Sequence, residues 1–215
     1  MAKASGGEPR QPDGAPALGP GRARAESRGN SFMKSALAIL GETGRTDFTV
    51  LEVVERSKTS LRAFYQHFAT KDELLLALID KIMSESTERW RAETSSLTAT
   101  DALRRIVQRL SAPASSSTQE GINRGLTFYN DHLQETKPRE FARVLEPLHD
   151  LIRDILRRGI ADGSFRSNIE VDTAAAIFMQ TALGAMRLRN LSRELTGVEI
   201  DSDAIYDFCV HGLAS

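Results

Sequence analysis

Cysteine is almost absent from the chain. Its single copy, Cys209, excludes an internal disulfide and any Cys-rich zinc site, and a reducing cytoplasmic setting is expected. Long apolar runs are missing as well. The longest, Leu74 to Ile79 and Ala174 to Met179, hold six residues each, whereas a membrane span needs about 20, so no membrane partner is expected. The N-terminus lacks the apolar stretch of a secretory signal. There is no P-loop, no Gly-rich dinucleotide fingerprint and no nucleophile elbow, so neither an enzyme nor a cofactor is expected. Aromatic residues make up only 6%. Alternating β-branched runs bounded by turns are lacking too, so no sheet is expected.

What is present suits an all-α protein. Ala, Leu, Arg and Glu abound, and all four favour helix. With 40% hydrophobic and 27% charged residues among 215, the composition is that of an ordinary globular protein. The net charge of −1 conceals an asymmetry. Residues 1–71 carry 11 Lys/Arg against 7 Asp/Glu, and residues 72–215 carry 17 against 22. A basic N-terminal third on an acidic remainder suggests that one part of the molecule meets a polyanion.

Residues 1–27 hold four of the seven prolines and five of the fifteen glycines. With almost no large apolar side chains to offset its ordering entropy, this basic stretch is expected to be a disordered tail. Helical spacing then places Phe32, Ala36, Ile39 and Leu40 on one face, with Gly44 as a stop. Thr49 caps a short helix through Arg56, and Glu52 completes a capping box. Ser60 caps a second short helix through about His67. Lys71-Asp72-Glu73 opens a long helix that carries Leu74, Leu75, Leu78, Ile79, Ile82 and Met83 towards Glu93. Further helices are expected near 100–110, 119–134, from Pro138 (with a kink or a fresh start at Pro147), over 172–191 and near 202–211.

Two short capped helices packed on an amphipathic one make a helix-turn-helix. Val53, Val54, Phe64 and Phe68 form its core. Leu61, Arg62, Ala63, Tyr65, Gln66 and His67 are left around the exposed sides of the second short helix, where bases are read. Arg62 suits guanine, Gln66 suits adenine, and Leu61 or Ala63 suits a thymine methyl. Tyr65, His67 and Lys71 suit phosphates, and the Lys71 amide lies at a helix start that attracts anions. Thr49 and Ser60, at the two helix openings, complete the expected DNA-facing set.

The stretch 44–74, GRTDFTVLEVVERSKTSLRAFYQHFATKDEL, resembles the tetracycline-repressor family. Phe64-Tyr65-Gln66-His67-Phe68, Lys71, Asp72 and Leu74 match its aromatic-Tyr-x-His-Phe-x-x-Lys-acid-x-Leu signature position by position. A weaker likeness continues through Gly163-Ser164-Phe165-Arg166 and Asp172-Thr173-Ala174-Ala175. Two positions depart from the family. Val54 stands where alanine is usual, and Lys58 stands in the turn where glycine is usual. Lys58 must take a positive φ or re-route the turn, at a cost of order 1 kcal/mol.

The resemblance implies a helix-turn-helix DNA-binding domain (28–75) followed by a helical effector-binding and dimerisation domain (76–215). It also implies a small-molecule pocket between helices, for which Trp90, Phe128, Tyr129, His132, Met179 and Met186 are the candidate lining. One helix-turn-helix covers half an operator, so a homodimer on double-stranded DNA is expected. Leu148, Leu151, Ile152 and Ile155, with the small-residue face of Ala175, Ala182 and Ala185, are the candidate interface. A metal is not expected. Glu146 and His149 form one Glu-x-x-His where a di-iron bundle needs two, and His132 and His211 have no partner ligand at helical spacing. The reading is a ligand-responsive, DNA-binding transcriptional repressor. Its rival is a helical small-molecule- or protein-binding module that leaves DNA alone.

Overall fold

The computed structural model describes residues 20–187, 194–195, 197–198 and 200–213, with side chains from Ser27 onward. Among these residues the helices are α1 Pro20–Thr43, α2 Val50–Arg56, α3 Leu61–Tyr65, α4 Lys71–Thr94, α5 Ala99–Leu110, α6 Ser117–Thr136, α7 Pro138–Ala161, α8 Val171–Arg187 and α9 Ser202–His211. No strand occurs among them, and one isolated bridge stands at Phe165.

Local chemistry explains most helix boundaries. At Thr49 the hydroxyl accepts from the Glu52 N–H, while the Glu52 carboxylate accepts from the Thr49 N–H at 2.6 Å, a reciprocal cap. A related arrangement opens α4: the Thr70 hydroxyl accepts from the Glu73 N–H, and the Glu73 carboxylate accepts from the N–H of Ala69, the residue before the cap, at 2.8 Å. Gly44 ends α1 at φ 63°, a conformation that costs glycine nothing.

Three boundaries differ from the sequence expectation. Helix α1 already begins at Pro20, inside the expected tail, because Pro20 suits a first helical turn and the Arg/Ala/Glu residues after it favour helix; residues 1–19 lie outside the described ones. Helix α3 stops at Tyr65, two residues short of His67. Helix α7 runs unbroken through Pro147. The carbonyl that loses its partner there belongs to the exposed Arg143, where water can take the bond, and packing on both sides holds the helix together. For α8, residues 188–191 of the expected helix lie outside the described set.

Two cores result. The first gathers Phe32, Leu40, Val53, Phe64, Leu74, Leu75, Leu133 and Phe141, and so joins α1–α3 and the start of α4 to α6 and α7. The second gathers Leu103, Ile106, Leu148, Ile152, Ile155 and Phe178 from α5, α7 and α8, and α9 closes it with Ile205 and Tyr206. Helix α4, about 36 Å long at 1.5 Å per residue, passes through both, and Met83 on it packs against each. The expected domain division at 75/76 therefore falls inside a helix, between two buried leucines.

The expected dimer stripe lies largely inside the chain. Leu148, Leu151, Ile152, Ile155, Ala175 and Ala182 are all buried within the chain, and Ala185 packs half-buried against the same core. Within the chain, α4, α5 and α9 pack over most of this stripe. Periodicity reveals an apolar face but not what lies over it.

Candidate nucleic-acid interface and effector region

The reading head hangs on one aromatic residue of α1. Phe32 meets Phe64 edge-on at 5.3 Å, Phe68 at 6.4 Å and the His67 ring at 6.0 Å. Such edge-to-face contacts fix ring orientation as well as burying area. Val53 and Val54 complete the seat, both buried. What remains on α3 faces water: Leu61 is 43% exposed, Tyr65 is 58% exposed, and Arg62 and Gln66 are exposed as well. Ala63 and His67 are half-buried, His67 because its ring belongs to the aromatic cluster.

The two capping residues are engaged in folding. Thr49 Oγ1 accepts from the Glu52 N–H at 3.2 Å and donates to the Glu52 carboxylate at 2.8 Å. The Thr49 N–H bond to the Glu52 carboxylate, and then the hydroxyl one, hold that carboxyl below its ordinary range. Ser60 Oγ accepts from the Ala63 N–H at 3.2 Å, which leaves its own proton free to donate.

Lys71 is placed differently from the expected phosphate donor. Its ammonium donates to the carbonyls of Thr46 and Phe48, at 2.9 and 3.1 Å, and lies 5.4 Å from the Phe48 ring centroid. It ties the α1–α2 loop to the start of α4, because those carbonyls have no helical partner of their own. Two of its three donors are used inside the chain.

The candidate pocket residues do not converge on one cavity. Tyr129 and His132 of α6 turn to Asp72, beside Lys71. The Tyr129 hydroxyl donates to one Asp72 oxygen, and His132 Nε2 lies 3.3 Å from the other. Burial alone would raise the Asp72 carboxyl, but the bonds from Tyr129 and His132 outweigh it and hold it below its ordinary value. Burial, then the bond to Asp72, pushes the Tyr129 phenol well up. Met179 is buried in the second core, and Trp90 and Met186 pack against it. Phe128 points out of the molecule, 72% exposed, over a shallow hollow shared with Arg45, Thr46, Asp47 and Arg124. These residues come from α4, α6 and α8, and the fold sends them to different neighbours.

A larger groove, about 430 Å³, lies instead between α8, α9 and the segment before α8. Thr173, Ile177, Thr181, Phe208 and Cys209 are among its lining. Ile177 is 61% exposed and Phe208 76%. Sequence reading passed over both, although each stands off the buried stripe of its helix, which was the available signal. Cys209 is half-buried there, and burial pushes its thiol up, away from reactivity. Among the described residues no three His, Cys, Asp or Glu side chains gather as a metal site, and no helix is long and apolar enough to cross a membrane. His149 Nε2 lies 3.2 Å from the Asp172 carbonyl, a structural contact.

Comparison with known proteins agrees with this geometry. Residues 32–78 match the family described as bacterial regulatory proteins, tetR family. Over 196 residues the chain is 24% identical to the HTH-type transcriptional repressor KstR2 of Rhodococcus jostii, covering 87% of this chain and 92% of that one. KstR2 of Mycobacterium tuberculosis is 22% identical over 183 residues, covering 82% and 88%. Among solved structures, the regulator FadR of Bacillus subtilis in complex with stearoyl-CoA superposes with a TM-score of 0.65 at 17% identity, covering 86% of this chain and 97% of that one. A regulator from Saccharomonospora viridis in complex with choline gives 0.65 at 18% identity, covering 89% and 99%. Residues 32–78 thus carry a helix-turn-helix that matches the tetR family of bacterial regulatory proteins, and the all-helical body behind it is similar in fold to regulators of known structure.

Proposed function

We propose that the protein is a homodimeric transcriptional repressor whose grip on a palindromic operator responds to a small molecule. The observation that carries this is the outward face of α3. Leu61, Arg62, Tyr65 and Gln66 stand in water on a helix whose other side is locked to Phe32. A base-reading helix needs both a free polar face and a rigid mount. The likeness to KstR2 repressors supports the direction of control.

The body supplies the response. Helix α4 starts at the reading head and ends in the second core, and the Asp72–Tyr129–His132 contact ties its first turn to α6. A ligand that shifts α4 or α6 changes the pose of the reading head and so competes with DNA. Such coupling is reciprocal and typically ~1–3 kcal/mol. The structural neighbours bind molecules as unlike as stearoyl-CoA and choline, so ligand chemistry is a property of each body, not of the fold.

The dimer face is assigned to α8 and α9 through Ile177 and Phe208, in place of the buried stripe. Two large apolar side chains in water beside one groove are the mark of a covered surface. The division of labour follows: residues up to the start of α4 read DNA, and the helices behind bind the effector and the second copy. A gel shift with the purified chain and the DNA upstream of its own gene is the test. Retardation that Arg62→Ala weakens is expected. A chain that retards no such duplex at low salt is not a DNA-binding repressor of its own region.

A further inference from the structure

The turn between α2 and α3 carries the one non-glycine residue with positive φ among the described residues, Lys58 at φ 53°. It completes a Schellman ending for α2. The Lys58 N–H donates to Glu55 O and the Thr59 N–H to Val54 O, each at 3.1 Å. Glycine is the residue that such a position favours, and a side chain there is strained. The structure offers the Lys58 ammonium no compensation. It is exposed, and no hydrogen bond or ion pair reaches it from the described residues.

The charge pattern around it is informative. Residues 44–75 contain five cations. Arg45 pairs with Asp47, Arg56 forks onto Glu42, and Lys71 is bonded to the Thr46 and Phe48 carbonyls. Lys58 and Arg62 are left without an internal partner among the described residues; Lys58 lies three positions before the first residue of α3, and Arg62 is its second residue. Arg62 lies on the base-reading face. Duplex DNA presents a dense row of phosphates to either side of any helix lying in its groove.

We propose that Lys58 is a DNA-backbone contact, a strained turn lysine whose ammonium neutralises an operator phosphate beside α3. The inference rests on the DNA-binding reading above and adds a residue to it. Local strain held at a functional position is a recognised pattern, and it makes the role testable, because stability and binding must move in opposite directions.

The experiment measures binding of the full chain to its upstream duplex between 50 and 300 mM KCl, by fluorescence anisotropy. Lys58→Gly relieves the φ strain, and its thermal midpoint should rise by about 2–4 °C. Its log affinity against log salt should flatten by about 0.9, the increment for one phosphate contact, with a similar weakening on unrelated duplex DNA. Lys58→Asn, neutral and tolerant of this backbone conformation, should show the same flattening, which separates loss of charge from added flexibility. Lys58→Arg should keep the wild-type slope. If wild type binds while both neutral variants retain its slope, Lys58 is only a tolerated turn residue and the proposal is wrong. If wild type binds no DNA, the regulator reading falls first and this one with it.

Discussion

At Arg62 and Tyr65 a single side chain separates two kinds of recognition. Both stand on the exposed side of α3, while Phe64 between them is buried against Phe32. Replacing either by Ala therefore removes an outward group and leaves the mount. Arg62→Ala should cost about 1–3 kcal/mol of operator binding and relax preference at one base pair, whereas Tyr65→Ala should weaken all sequences alike. Competition binding with operators mutated one position at a time tells the two apart. Asp72 supports a second prediction. Its carboxyl is held below the ordinary 3.8, so its bonds to Tyr129 and His132 stabilise the fold above that pH. The stabilisation is lost as pH falls through the lower folded value. Tyr129→Phe deletes one donor, so it should cost about 1–2 kcal/mol at neutral pH and make the acid limb of stability less steep. Urea midpoints of both proteins from pH 7 down to 3 check this, and parallel curves would mean that the bond contributes nothing.

The elements meet through unusually close contacts between α1 and α6. A Cβ placed on Gly121 would stand 2.7 Å from Gly41 O and 2.9 Å from Leu40 O, both backbone atoms that cannot swing aside. The reading head is thus seated on α6 backbone to backbone, while Asp72 ties the first turn of α4 to the same helix. Gly121→Ala should force the two helices apart and cost about 1–3 kcal/mol, the usual penalty of overpacking. Chemical denaturation measures it. A variant as stable as wild type would show that the seam has slack. Much of this level was legible in advance. The α2 capping box, the Ser60 cap, the Gly44 stop, Pro138 in a first turn and the strained Lys58 all involve groups a few residues apart. The seam itself was not legible, since nothing near Gly121 names Gly41 as its neighbour.

At the scale of the whole molecule the outstanding feature is apolar surface that none of the described residues covers. Ile177 and Phe208 flank the groove between α8 and α9. If that face binds a second copy, light scattering at micromolar concentration should give twice the 23.7 kDa of one chain. The pair Ile177→Glu with Phe208→Glu should return it to one chain mass without unfolding it, since neither residue belongs to a core. A wild-type monomer, or a double variant that stays dimeric, would remove α8 and α9 from the interface. Operator binding should fall with dimerisation, because each copy reads only half a site.

By itself the sequence determined the helices, their caps and the helix-turn-helix, because each rests on interactions that span one or two turns. The Thr49 and Glu52 exchange joins positions three apart, and helical spacing is a property of one segment at a time. Tertiary structure decided what each apolar or charged face meets. Lys71 found carbonyls 23 and 25 positions away, and Asp72 found Tyr129 across 57. The small-residue and leucine stripes found α5 and α9 inside the chain, and Phe128 found water. An amphipathic helix states that it must be covered. Only chain closure in three dimensions selects the cover, because many helices of similar pattern compete for it and the outcome depends on how all of them pack at once.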